Sequence, residues 1–204
     1  MDSLFASSDR ASINKLRDDK NAIESIAQFK ELLNALPYVA AILNDHRQII
    51  YSNEVMLETL GVVSIDDILG LKPGEALSCV NSFNDTGGCG TSDFCRVCGA
   101  VSAILESQKT KRKVVEESRI TSKIKDEEIS ADYLVSATPF YWNNEHFTIL
   151  TLNDISHEKR RRILEKIFFH DIVNKAGSLT GFLDLLKDVK EIKKIKEYLN
   201  LAGS

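Results

Sequence analysis

An α+β domain built on an antiparallel sheet is what this sequence predicts, and three observations carry that reading. Two short strand-like runs lie early, at Tyr38–Leu43 and Gln48–Tyr51. Three more lie late, around 112–121, 130–140 and 145–154. Short helical stretches and turns fill the interval between the two groups. Composition agrees with a folded chain: 204 residues, 43% apolar, 27% charged and a net charge of −4 exclude intrinsic disorder. A pI near 5.6 gives no support to a nucleic-acid-binding role. No apolar run approaches the ~18–20 residues of a membrane span. The opening Met1-Asp2-Ser3-Leu4-Phe5 has neither a basic leader nor a long apolar stretch. A cytoplasmic protein without a secretory signal is therefore expected.

The elements follow in chain order. Residues 10–36 predict a helix, with Ile13, Leu16, Ile23, Ile26, Lys30 and Leu33 on a narrow seam that suits a coiled coil. Pro37 ends it, because proline disfavours helix at the residue before it. Asn44-Asp45-His46-Arg47 suits a hairpin turn between the first two strands. Ser52-Asn53 can cap a short helix through Val55, Met56, Leu57 and Leu60, closed by Gly61. Ser64 to Gly70 reads as another capped helical turn. A glycine-rich stretch at 79–98 holds all four cysteines. From about Arg96 the residues Val97, Ala100, Val101, Ile104 and Leu105 make one helical stripe through Ser107. Thr148–Leu152 is the clearest strand, and Asn143-Asn144 before it suits a tight hairpin.

Residues 32–155 resemble a PAS domain, the small sensory module of signalling proteins. The matching pieces are Leu33-Asn34-Ala35-Leu36-Pro37 entering the first strand and Ile50-Tyr51-Ser52-Asn53 leaving the second. Leu60-Gly61, Ile68-Leu69-Gly70 and the closing Leu152-Asn153-Asp154-Ile155 match as well. The resemblance implies a five-stranded antiparallel sheet with flanking short helices. It also implies an output helix leaving after Ile155, where Ser156 replaces the usual threonine. The chain then divides into an N-terminal helix (1–31), a PAS sensor domain (32–155) and a C-terminal helical segment (156–204).

Charge marks the same boundary. Ser156 to Glu197 carries 11 Lys/Arg against 7 Asp/Glu, whereas the remainder carries 15 against 23. A basic helix can meet a membrane surface or nucleic acid, but a solvated helical face is the simpler account. Ser156 to about Lys187 contains no proline and reads as one helix. Leu164, Phe168, Ile172, Ala176, Leu179, Leu183 and Leu186 advance along it by fours and threes. At ~100° per residue, His170 points away from that stripe, with Asp171 beside it and Asn174 one turn on.

Phe169-His170-Asp171-Ile172-Val173-Asn174 resembles the phosphoacceptor box of sensor histidine kinases. The resemblance implies that His170 is the phosphorylated residue, Asp171 its acid/base partner and Asn174 a positioner of water or acceptor during dephosphorylation. A two-helix dimerisation hairpin is its expected setting, with a second helix over Lys190–Leu201. A neutral imidazole nitrogen suits attack on a γ-phosphoryl group, and an adjacent carboxylate can fix its tautomer. Only 34 residues follow His170, and none supplies the glycine-rich lid of a kinase ATP-binding domain. The expected partners are a second copy of the chain, a response regulator, and an ATP-binding domain in cis beyond this chain or in trans. The chain reads as the sensor and dimerisation part of a kinase, either a fragment or a naturally short protein.

Cys79, Cys89, Cys95 and Cys98 form C-x9-C-x5-C-x2-C. In a chain without an export signal, metal or redox chemistry gains weight over structural disulfides. Thiolates crowded into one loop repel each other unless a cation or proton compensates, and Gly87-Gly88 and Gly90 permit the bends that let them converge. Three readings compete. An iron–sulfur cluster tolerates the loose spacing, which is one residue longer than the plant-ferredoxin arrangement. Structural Zn2+ generally uses two close pairs, and only Cys95-x2-Cys98 is close. Reversible disulfides would serve as a metal-free redox sensor. Phe94 and the absence of a suitable glutamine argue against flavin. His46 and His146, both expected in turns, argue against haem. The expected function is a PAS sensor of a redox, metal or small-molecule signal that controls phosphorylation of His170. A non-catalytic PAS dimer with structural zinc, acting by protein contact, is the alternative. A standalone metalloenzyme lacks a general-base constellation.

Overall fold

The computed structural model describes residues 5–187, Lys196 and residues 198–200. Its packing divides into two compact units after Ser156. The first unit contains α1 (Ile13–Glu24), α2 (Phe29–Asn34), β1 (Val39–Leu43), β2 (Ile49–Ser52), α3 (Glu54–Leu60) and α4 (Pro73–Ala76). It continues with α5 (Gly99–Thr110), β3 (Val114–Ile124), β4 (Glu127–Trp142) and β5 (Glu145–Asp154). One antiparallel sheet has the strand order β2-β1-β5-β4-β3. With its flanking helices, this is the α+β architecture on a five-stranded antiparallel sheet that the sequence predicts.

β1 lies between β2 and β5, and all five of its residues are buried. Val39, Ala41 and Leu43 join one apolar cluster with α3 and α5, while Ala40 and Ile42 join another with α1 and α2. Strand alternation therefore feeds two cores, which is why this strand is apolar throughout. The hairpin turns are tight. Asn143 and Asn144, and likewise Lys125 and Asp126, adopt the left-handed conformation that two-residue hairpins require.

Asn53 locks the strand-to-helix corner. Its Oδ1 accepts from the N–H of Ala40 at 3.0 Å and of Met56 at 3.1 Å, while its Nδ2 donates to the carbonyls of Tyr38 and Leu33. Fully buried, it caps α3 and ties the chain to β1.

The structure corrects three local expectations. The single helix over 10–36 is broken: Gln28 takes the left-handed conformation, and the Ser25 hydroxyl donates back to the carbonyl of Ala22. Leu16, Ile23 and Leu33 of the seam are buried against this unit's own sheet, whereas Ile13 and Leu32 are exposed. Val97 lies outside the α5 stripe and is exposed, because Cys98 is still extended when α5 begins at Gly99. His146 stands on β5 against the ring of Tyr141, not in a turn.

The second unit is carried by α6 (Ser156–Lys187), a helix of 32 residues. Of the second helix expected over Lys190–Leu201, Lys196 and residues 198–200 are helical, and the rest lies outside the described residues. No helix among the described residues is long and apolar enough to cross a membrane.

Candidate functional site

The four cysteines line one cavity of about 220 Å³ in the first unit. α4, α5 and the inner face of the sheet wall it, with Leu77, Val101, Ile104, Ile120 and Leu150 supplying apolar surface. Each cysteine arrives by a different local device. Cys79 follows α4, its N–H bonded to the carbonyl of Gly74 at 2.7 Å, and pairs as an isolated bridge with Ser122 of β3. Cys89 reaches in across Gly74, where a Cβ would come within 2.7 Å of its sulfur. Cys95 sits on the 3-10 turn Asp93–Val97, its sulfur 3.3 Å from the Ser92 hydroxyl. Cys98 precedes α5 and lies 3.6 Å from the Ser118 hydroxyl.

All four cysteines are free thiols. Burial pushes the Cys89 thiol up to about 12, against the Gly74 backbone and the charge of Arg47. Burial raises Cys79 as well. Both are therefore neutral at neutral pH unless a cation joins them. Among the described residues, no three His, Cys, Asp or Glu side chains are gathered closely enough to hold a metal ion as they stand. The donor set is nevertheless all sulfur, which suits Zn2+ or an iron–sulfur core.

A polar layer behind the cysteine loop has no counterpart in the sequence reading. Arg47 and Lys72 are both buried. Arg47 Nη1 donates to the carbonyl of Cys89 at 3.0 Å and Nη2 to that of Ser7. Lys72 Nζ donates to the carbonyls of Ser7 and Gly87, each at 3.2 Å. Glu75 pairs with Arg10 and also accepts from the N–H groups of Lys72 and Cys89. Burial pushes Glu75 up, but those hydrogen bonds outweigh it and hold the carboxyl below its ordinary value. Gly90 makes room for the layer: its φ is +94°, and a Cβ there would collide with the Arg47 guanidinium. A polar arm before α1 closes over the loop, with the N–H of Ala6 donating to the carbonyl of Gly90 at 3.1 Å. One signal in the sequence could have revealed this layer: a lysine in the apolar context Ile68-Leu69-Gly70-Leu71-Lys72-Pro73.

At the end of the first unit the chain is fastened to β4. The N–H of Ile155 donates to the carbonyl of Asp132 at 2.8 Å, and the N–H of Asp132 donates to the Ser156 hydroxyl at 2.9 Å. The Asp154 carboxylate accepts from the N–H of Ser156. The serine in the usual threonine position thus keeps a working hydroxyl.

In the second unit, His170 and Asp171 are both exposed, and His170 Nδ1 lies 3.5 Å from Asp171 Oδ1. Asn174 Nδ2 lies 3.2 Å from Nδ1 and 3.3 Å from Nε2 of the same ring. All three residues of the expected phosphoacceptor set thus stand together. Leu164, Phe168, Ile172, Leu179 and Leu183 are exposed along the helix.

No family model matches this chain, and no curated protein matches it. Solved structures do. The PAS domain of nitrogen regulation protein NR(II) from Vibrio parahaemolyticus is 13% identical, with a TM-score of 0.45 over 64% of this chain and all of that one. The PAS domain of BvgS from Bordetella pertussis is 14% identical, with a TM-score of 0.41 over 71% of this chain and 94% of that one. A PAS domain from a two-component sensor histidine kinase is also 14% identical, with a TM-score of 0.41 over 61% and 91%.

Proposed function

We propose that this chain is the sensing and phosphoacceptor part of a two-component histidine kinase, in which a metal centre on four cysteines controls phosphorylation of His170. The observation that carries the reading is the convergence of Cys79, Cys89, Cys95 and Cys98 on one cavity of the PAS fold. The iron–sulfur cluster is the occupant that the loose cysteine spacing favours, and Zn2+ is its competitor. Filling or emptying the cavity would move the β3 and β5 residues that line it. β5 runs into Ile155 and Ser156, which are held by Asp132, so the start of α6 would feel the change.

The output chemistry uses His170. With Asp171 holding the proton on Nδ1, the Nε2 lone pair attacks the γ-phosphorus of ATP presented by a kinase ATP-binding domain. The new N–P bond forms as the bond to the β,γ-bridging oxygen breaks, and ADP leaves with that electron pair. Asp171 takes the Nδ1 proton. Asn174, against the same ring, would position water or the acceptor when the phosphoryl group departs. The apolar stripe of α6 requires a partner, which we assign to a second copy of the chain.

The test combines both halves. Protein purified anaerobically should contain iron and sulfide and absorb in the visible. Supplied with a kinase ATP-binding domain in trans, it should incorporate acid-labile phosphate that His170→Gln abolishes, at a rate that differs between filled and stripped protein. Equal labelling of His170→Gln would sink the phosphoacceptor assignment. One zinc per chain without iron would remove the cluster, unchanged labelling on stripping would remove the centre's control over His170, and absence of labelling altogether would leave the non-catalytic contact module as the better account.

A further inference from the structure

A second cavity, of about 550 Å³, lies beside the edge strand β2 and shares no lining residue with the cysteine cavity. Its volume is that of a small-molecule site. At Ile49 the strand edge is covered: the N–H of Ile49 donates to the carbonyl of Leu71 and the N–H of Gly70 to that of Ile49, each at 2.8 Å. Farther along, at Tyr51 and Ser52, the strand borders the cavity instead. Ile23 of α1, Phe29 of α2 and Leu57 of α3 supply its apolar wall.

Two hydroxyl residues of β2 stand in this wall unsatisfied. Tyr51 is 9% exposed and Ser52 is 7% exposed, and among the described residues neither hydroxyl has a hydrogen-bond partner. An enclosed polar group without a partner costs free energy that a ligand can recover. The charged groups on the lining are Glu24, Glu54 and Lys30, all exposed at its rim. Asn34 fixes Glu54, donating from Nδ2 to Oε1 at 2.9 Å and accepting from the Glu54 N–H at 3.0 Å. Glu24 has Lys20 at 3.9 Å, but that ammonium sits closer to Asp66, at 2.7 Å. Burial, together with the charges of Glu24, Glu31 and Glu54, pushes the Tyr51 phenol up, so it keeps its proton.

We infer that this cavity binds a small organic cation, a primary ammonium carried on an apolar body. The body lies against Ile23, Phe29 and Leu57. The ammonium donates to the carboxylates of Glu24 and Glu54 and to the Tyr51 oxygen. A carboxylate in its place would meet two like charges with Lys30 alone in its favour, and an alcohol would forgo the charge-assisted hydrogen bonds. The site is a second input to the domain, and it stands whatever fills the cysteine cavity.

The experiment titrates the full chain with 2-phenylethylamine and n-hexylamine, an aromatic and an aliphatic body, by calorimetry and by amide shifts of isotope-labelled protein. 2-Phenylethanol and 3-phenylpropionate are the neutral and anionic counterparts. At least one amine should bind about tenfold more tightly than either counterpart. It should shift the amides of Tyr51, Ser52 and Leu57 and leave those of Val101 and Ile104 in the cysteine cavity unmoved. Glu24→Gln and Glu54→Gln should each weaken the amine by about threefold or more while the alcohol is unaffected. Tyr51→Phe, which keeps the ring and removes the oxygen, should weaken the amine as well. If Glu54→Gln or Tyr51→Phe does not fold, Glu24→Gln decides it, because that side chain is exposed at the end of α1. Equal affinity for amine and alcohol would reduce the site to an apolar cleft and overturn the inference. So would failure of both amines to bind at millimolar concentration, shifts confined to the cysteine cavity, or full amine affinity in the variants that fold.

Discussion

A single enclosed ammonium dominates the electrostatics behind the cysteine cavity. Burial, reinforced by Arg47 and Arg10 and opposed by Glu75 and Cys89, brings Lys72 down to about 8. A lysine whose folded pKa lies below its unfolded one weakens the fold at low pH. That penalty is relieved as pH rises from about 8 towards 10.5, because the unfolded chain then holds a proton that the folded chain has released. Cys79 and Cys89 act with the opposite sign. Burial keeps their thiols neutral, so they weaken the fold above the ordinary cysteine value of 9.0. Comparing wild type with Lys72→Met isolates the lysine. Between pH 8 and 9, metal-free wild type should gain about 1 kcal/mol relative to the variant in denaturant titrations. Parallel pH profiles would show that Lys72 keeps its proton throughout. The four cysteines and His170 were legible in the sequence because thiols and imidazoles are rare and their spacing carries meaning. Arg47 was not, because nothing local marks it as a buried cation, and Lys72 only by its apolar neighbours: the burial of both is produced by an arm and a loop 40 and 15 residues distant.

At the scale of elements, the arm before α1 is what closes the cysteine loop. Ala6 is buried with Cys95 and Val101, the Ser7 carbonyl accepts from both buried cations, and Arg10 engages Glu75 and the carbonyl of Gly70. Ala11 then donates from its N–H to Gln48 Oε1, so the arm is fastened along its length before α1 begins. Ala6→Glu would force a carboxylate into that apolar cluster and lift the arm. Amides of residues 87–91 should then exchange with solvent at least tenfold faster, while those of β3, β4 and β5 remain protected. Unchanged exchange in the loop would mean that its own turns suffice to hold it. The main strands and α3 could be read from alternation and caps, which are local signals. The break at Gln28 and the turn at Lys125-Asp126 could not, because Gln and Lys do not announce a left-handed conformation. Both conformations are imposed by packing: α1 and α2 each present their apolar residues to the same sheet face, and β3 and β4 pair right up to their turn.

Across the whole molecule, apolar surface is distributed unequally. The first unit closes two cores around its sheet. α6 leaves Leu164, Phe168, Ile172, Leu179 and Leu183 exposed, while His170 lies about 200° around the helix from both Phe168 and Ile172. Five large apolar side chains along one face of a helix are stable in water only when covered, and a second α6 offers a matching stripe by symmetry. In such a pairing the rings of His170 stay on the wet side, reachable by an ATP-binding domain, while the stripe is sealed. Phe168→Asp places a charge in the middle of the proposed seam and should give a monomer in sedimentation at micromolar concentration where wild type gives the proposed dimer. The thermal transition of the first unit should stay within a few degrees of wild type, because no residue of its two cores is altered. Labelling at His170 should fall along with the dimer, since the mutation leaves Asp171 and Asn174 beside the ring. A Phe168→Asp protein that remains dimeric would place the dimer contact elsewhere, and full labelling of a monomeric one would show that the phosphoacceptor helix works without a partner.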